Sequence, residues 1–153
     1  MNDTTPKPPR YPLAEQCLAS THEVLNQPPP WQDVNLFLAD RPLQEALERE
    51  GAGWARNDLI AFGGLTGSAN YQELGFLAND NRPVLHTHDR FGHRVDLVKF
   101  HPAYHQLMRT AIEQGLHASP WSAPGPDAHV ARTAKCYLQS QVEAAHGCPI
   151  TMT

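Results

Sequence analysis

The chain has 153 residues, 41% of them hydrophobic and 18% charged, with a formal net charge of −4. That is enough apolar material for one domain core, and no apolar run reaches the roughly 20 residues of a bilayer-spanning helix. The 12 Lys and Arg residues are scattered along the sequence, which argues against a nucleic-acid-binding face made by this chain alone.

Residues 1–32 read as an extended or disordered arm. "PKPPRYP" and "NQPPPW" bracket it, and each proline removes a donor and steers its predecessor away from helix. A short helical turn is predicted around Glu15–Leu25, and the arm is expected either to be a tail or to dock on a neighbouring subunit through Trp31 and Phe37. The opening "MNDTTPKPPRYPLAEQ" lacks the apolar stretch of a secretory signal. Cys17, Cys136 and Cys148 are odd in number, with no CxxC pair, which speaks against a disulfide framework or a zinc finger. The cytoplasm is the expected compartment, with no membrane partner.

Helical signals begin at Asp40, a capping residue followed by Pro42 in the first turn. Leu43, Ala46 and Leu47 make one apolar face, and Gly51 ends it. Trp54, Leu59, Phe62 and Leu65 then recur at helical spacing to Gly67. Ser68 or Asn70 caps a further helix carrying Tyr71, Leu74 and Leu77 into the core before "NDNRP". The period changes in "PVLHTHDRFGHRVDLVKF", where β-branched and aromatic residues flank the turn-like "DRFG". Val84, Leu85, Val95, Leu97 and Val98 are predicted to form a short hairpin or an irregular excursion near 84–100. Pro102 starts a helix whose buried side is Tyr104, Leu107, Met108, Ala111 and Ile112, ending at Gly115. After the loop "HASPWSAPGPD", Asp127 opens the longest predicted helix, with a stripe of Val130, Ala131, Ala134, Leu138, Val142 and Ala145 up to Gly147. "CPITMT" reads as the start of another apolar helix, so the domain is expected to be truncated at its C-terminal end.

Candidate chemistry centres on imidazoles. His86 and His88 form an H-x-H pair, His93 follows, and His101 and His105 share helical i, i+4 spacing. Convergent imidazoles hold zinc, but no cysteine pair, Glu or H-E-x-x-H accompanies them at a ligand interval. His101, directly before Pro102, instead suits a helix cap. Cys136 lies on an apolar helix where a thiol is inert packing. Ser119 and Ser122 lack a hydrolase elbow. "GGLTG" (residues 63–67) lacks the lysine of a phosphate loop and reads as a helix end. The catalytic, cofactor-binding and metal-binding residues expected in this chain are therefore none.

Three segments carry a resemblance: "NQPPPWQDVNLFLADRPLQEALEREGAGW", "ELGFLANDNRPVLHTHDRFGHRVDLVKFHPAYHQLM" and "HVARTAKCYLQSQVEAAHGCPITMT". In order and spacing, from Asn26 onward, they resemble the N-terminal region of the AidB-like (isovaleryl-CoA-dehydrogenase-like) flavoproteins of the acyl-CoA dehydrogenase superfamily. The resemblance implies a mainly α fold: a helical bundle over 33–153 like the N-terminal domain of acyl-CoA dehydrogenases. In such proteins FAD, the catalytic Glu and a basic DNA-binding surface belong to later domains, so no FAD is expected on this chain. The implied role is a scaffold for a homo-oligomer, a tetramer in the full-length parent, with DNA bound through the C-terminal domain in a response to DNA alkylation. The alternative is a stand-alone helical interaction module without flavin chemistry.

Overall fold

The computed structural model describes residue 26 and residues 28–152. The chain partitions into units of residues 1–31 and 32–153, and every element described below belongs to the second. The turn predicted at Glu15–Leu25 lies outside the described residues.

Short-range capping starts the fold. Asn35 Oδ1 accepts from the backbone N–H groups of Phe37 and Leu38, each at 3.1 Å, and so opens α1 (Leu36–Ala39). The same side chain donates to the Ile60 carbonyl at 2.8 Å, tying α1 to a helix 25 residues away. Asp40 ends α1 and caps α2 (Arg41–Arg49), accepting from Leu43 N–H at 2.9 Å, with Pro42 in the first turn as expected. Gly51 takes the left-handed conformation that stops α2 (φ +81°). A 3-10 turn (Gly53–Ala55) leads into α3 (Arg56–Thr66), and Ser68 caps α4 (Ala69–Asp80).

The predicted hairpin forms: β1 (Val84–His88) and β2 (Arg94–Lys99) are antiparallel, with Val84 opposite Lys99, Leu85 opposite Val98 and His86 opposite Leu97. An irregularity follows His86, where Asp96 adopts a positive φ. The remaining helices are α5 (Pro102–Glu113), α6 (Ser119–Ser122), α7 (Ala128–Ser140) and α8 (Gly147–Thr151). The fold is mainly α with one small sheet among the described residues, as expected.

Helix α7 packs against α2, α3 and α6, while α4 pairs with α5 and α1 lies on α3. Leu36, Phe37, Leu47, Leu59, Phe62, Leu116, Leu138 and Ile150 fill the core between them. Ala131 and Ala134 keep α7 thin enough for close approach. Burial of each larger aliphatic or aromatic side chain stabilises by about 1.5–3 kcal/mol, so this layer carries the fold.

Several predicted faces are corrected. Phe37 is fully buried in its own domain, so it is not available to dock a neighbour. Trp54 and Leu65 are exposed at 65% and 38%, and Gly63 and Thr66 take their places on the buried face of α3. Leu74 and Leu77 are only half-buried; Tyr71 and Gly75 make the close contact instead. Ile112 is 49% exposed, and Ala103 turns inward in its stead. "SPWS" forms the short α6 rather than loop. Asp127 opens α7 from a left-handed φ without a side-chain capping bond, and α7 ends at Ser140, so Val142 and Ala145 are not in its stripe. The reason is tertiary. The Val142 carbonyl sits against Gly75, where an added Cβ would lie 2.5 Å from its oxygen. The Glu143 carboxylate then turns the chain by accepting from Ala145 and His146 N–H groups at 2.7 and 2.9 Å.

Candidate functional site

The hairpin carries three of the five candidate histidines, and the structure spreads them out. His86 and His88 share one face of β1, opposite Leu97 and Arg94. His88 Nδ1 contacts only its neighbour Thr87 Oγ1, at 3.1 Å. His93 Nδ1 pairs with Asp89 Oδ2 at 3.0 Å, while Asp89 Oδ1 accepts from Phe91 and His93 N–H groups at 2.8 and 3.0 Å. That bonding shapes the "DRFG" turn. Desolvation pushes the Asp89 carboxyl up, but His93 and the turn N–H groups outweigh it and hold it below the usual carboxylate range.

His101 Nδ1 accepts from Ala103 N–H at 3.2 Å and caps α5, as its place before Pro102 predicts. His105 is exposed, edge-on to Tyr104 at 5.7 Å and to Phe100 at 6.1 Å. Among the described residues no three His, Cys, Asp or Glu side chains converge as metal ligands.

A different histidine, outside the crowded segment that draws attention in the sequence, sits in a buried polar network. His146 is 1% exposed. Its Nδ1 lies 2.6 Å from Glu143 Oε2, and its Nε2 lies 2.9 Å from Gln139 Nε2. Tyr71 Oη donates to Gln139 Oε1 at 3.1 Å. Burial drives the Tyr71 phenol up against the pull of its bonds to Gln139 and Thr110. Burial pushes the Glu143 carboxyl up as well, but the backbone and ring N–H groups of His146 and the Ala145 N–H outweigh it, so the net shift is down. A carboxylate–imidazole pair is the orienting half of a general-base dyad. Here the outer nitrogen is occupied by an amide, so the pair locks the turn before α8. The signal that marks it in sequence is the i, i+3 spacing of Glu143 and His146 after Gln139.

Nucleophiles are equally committed elsewhere. Burial raises the Cys136 thiol, against the charge of Arg132, which disfavours thiolate. Cys148 is exposed, with Sγ 3.6 Å from Met152 Sδ. Ser122 Oγ donates to the Ala118 carbonyl at 3.2 Å. "GGLTG" is the end of α3.

Free N–H groups at a helix start suit an anion; the N-termini of α1, α2, α4 and α5 are filled by their own Asn35, Asp40, Ser68 and His101 side chains, while those of α3 and α7 carry no side-chain cap. A cleft of about 430 Å³ between α2 and α7 is walled by Leu43, Leu47, Val130, Ala134 and Tyr137 and is almost wholly apolar.

What remains is surface. Val84, Leu85, Val95, Leu97 and Val98 are each about half exposed, and Phe91 at the hairpin tip is 70% exposed. Both faces of a two-stranded sheet thus present apolar side chains. A lone hairpin is marginal in water, and large contiguous apolar surface is uncommon on monomeric soluble proteins.

Helices with a single exposed hairpin inserted in the chain between the fourth and fifth of them define the fold class, that of the N-terminal domain of acyl-CoA dehydrogenases. The Caenorhabditis elegans ACDH-11 crystal structure, solved in complex with C11-CoA, superposes with a TM-score of 0.70 at 22% identity, covering 88% of this chain and 24% of that one. The structure described as Bd2924 apo-form superposes with a TM-score of 0.69 at 26% identity, over 77% of this chain and 24% of its own. More particularly, residues 26–153 match the family described as the adaptive response protein AidB N-terminal domain, and the chain belongs to that family. It is 47% identical over 134 residues to the putative acyl-CoA dehydrogenase AidB of Escherichia coli (strain K12), covering 87% of this chain and 25% of that protein. The chain therefore spans about a quarter of the length of the relatives it matches.

Proposed function

We propose that this chain is the N-terminal scaffold and oligomerisation domain of an AidB-like, FAD-dependent acyl-CoA dehydrogenase homologue linked to the response to DNA alkylation. Residues 1–32 serve as its proline-rich arm and 33–153 as the helical domain. By itself it is inactive. Flavin, catalytic base and the DNA contact are supplied by the other domains of the full-length protein, a cytoplasmic homo-oligomer. The observation that supports this most directly is the hairpin, whose apolar side chains stand exposed on both faces. Such a surface is suited to being covered by protein rather than by water.

Light scattering over a concentration series tests the reading. The purified chain self-associates as concentration rises, and the paired substitutions Leu85→Thr and Val98→Thr, on one face of the hairpin, suppress that association without loss of helicity. A chain that stays monomeric at every concentration overturns the scaffold reading in favour of a stand-alone module. Stoichiometric flavin retained through gel filtration overturns the assignment of the cofactor to other domains.

A further inference from the structure

The buried network around His146 has a direction. Tyr71 on α4 donates to Gln139 Oε1 on α7, and the Gln139 amide places its nitrogen against His146 Nε2. An amide nitrogen only donates, so His146 Nε2 accepts. The ring hydrogen therefore lies on Nδ1, where it points at Glu143 Oε2, 2.6 Å away. Donors thus run in one sense from the phenol to the carboxylate.

The network also fits together run backwards. Add a proton to Nε2, and the amide must turn over so that Gln139 Oε1 accepts it. The Gln139 nitrogen then donates to Tyr71 Oη. That hydroxyl, which already bonds with Thr110 on α5, turns its hydrogen toward Thr110 Oγ1. His146, Gln139 and Tyr71 each keep a partner of the right kind, the hydrogen of the half-buried Thr110 hydroxyl turns away from Tyr71, and the added charge sits beside the Glu143 carboxylate. An uncompensated buried charge or donor is costly, and from His146 to Tyr71 this geometry incurs neither.

We propose that His146 is a proton-linked switch. As the neutral imidazole it carries its hydrogen on Nδ1, and on taking up a proton at Nε2 it reverses the Gln139 amide and the Tyr71 hydroxyl behind it. The device joins the turn before α8 to α4, α5 and α7, so a proton gained at one end is registered three side chains away. The ionisable groups around the ring are few. Glu143 lies in its own turn, Tyr71 reaches it through Gln139, and Cys136 lies across a small cavity on the α7 side. Arg82 and Tyr104 line the cleft on its other side.

Nitrogen-15 NMR of the imidazole during a pH titration of the intact chain tests this. The neutral His146 ring is expected to show a protonated Nδ1 and a bare Nε2, and the Gln139 side-chain amide signals are expected to move with the same midpoint as the ring. Gln139→Glu places an obligate acceptor at Nε2 and raises the proton affinity of His146 about tenfold or more. Tyr71→Phe removes the acceptor that the reversed amide needs and lowers that affinity. A neutral ring protonated on Nε2 overturns the proposal. So do Gln139 signals indifferent to the titration, a ring that stays neutral until the protein unfolds, or two variants that shift it in the same sense. Should either variant fail to fold, the wild-type titration alone decides.

Discussion

Two glycines three residues apart in "GGLTG" should respond oppositely to one methyl group. Gly67 closes α3 with an ordinary helical φ of −83°, so the backbone conformation does not require glycine there. Space does. A Cβ on Gly67 would fall inside the van der Waals envelope of the Val34 carbonyl oxygen and lie 2.8 Å from its carbon. Both neighbours are backbone, and they are held in place. Asp33 N–H donates to the Gly67 carbonyl at 2.8 Å, and Asp33 Oδ1 accepts from Ala69 N–H at 3.0 Å. Gly67→Ala must therefore displace the 33–34 backbone, adding an overpacking cost of about 1–3 kcal/mol to the loss of one hydrogen bond worth about 0.5–1.5. The helical preference of alanine returns about 0.5–1. At the middle of these ranges the net loss is about 2 kcal/mol, or a fall in Tm of very roughly 5–15 °C for a domain of this size. Gly64 is exposed, and a Cβ there meets only Asn35 Nδ2 at an ordinary 3.4 Å, so Gly64→Ala should raise stability by about 0.5–1 kcal/mol. Thermal and urea denaturation followed by circular dichroism measure both. Equal behaviour of the two variants, or a Gly67→Ala protein as stable as the parent, refutes the argument that α1 and its approach are seated directly on α3.

Removal of the α5 cap by His101→Ala should cost about 1 kcal/mol, read as a lower urea midpoint with an unchanged slope; no change would mean that the ring does not serve Ala103. Glu143 has a carboxyl held below its ordinary range, so the stability it contributes is present above its unfolded value of about 4.3 and is lost as pH falls through the folded value. Glu143→Gln should therefore be less stable at neutral pH and show a shallower loss on acidification. An acid limb identical to the parent's would show that the carboxylate does not hold the turn.

Local rules made much of this protein legible in its sequence. Asp40, Ser68 and His101 are capping residues wherever they stand, and Gly51 and Gly115 end helices because a positive φ is open to them. The hairpin follows from its change of period around a turn with Asp at its start and Gly at its end. The family was legible because its segments keep order and spacing over most of the chain. Contacts between distant segments decided the rest. Gly63 and Gly75 are buried because the backbones of Phe37 and Val142 lie on them, and apolar periodicity gives no weight to a residue without a side chain. Apolar spacing alone therefore puts Trp54 and Leu65 on a face they do not bury, and it carries α7 past its end at Ser140. Imidazoles were conspicuous where they crowd together in sequence, on an exposed hairpin. The histidine that is buried and bonded on both nitrogens stands alone in the sequence, and only the approach of α4 to α7 brings Tyr71 and Gln139 to it, because hydrogen bonding depends on distance in space and not on separation along the chain.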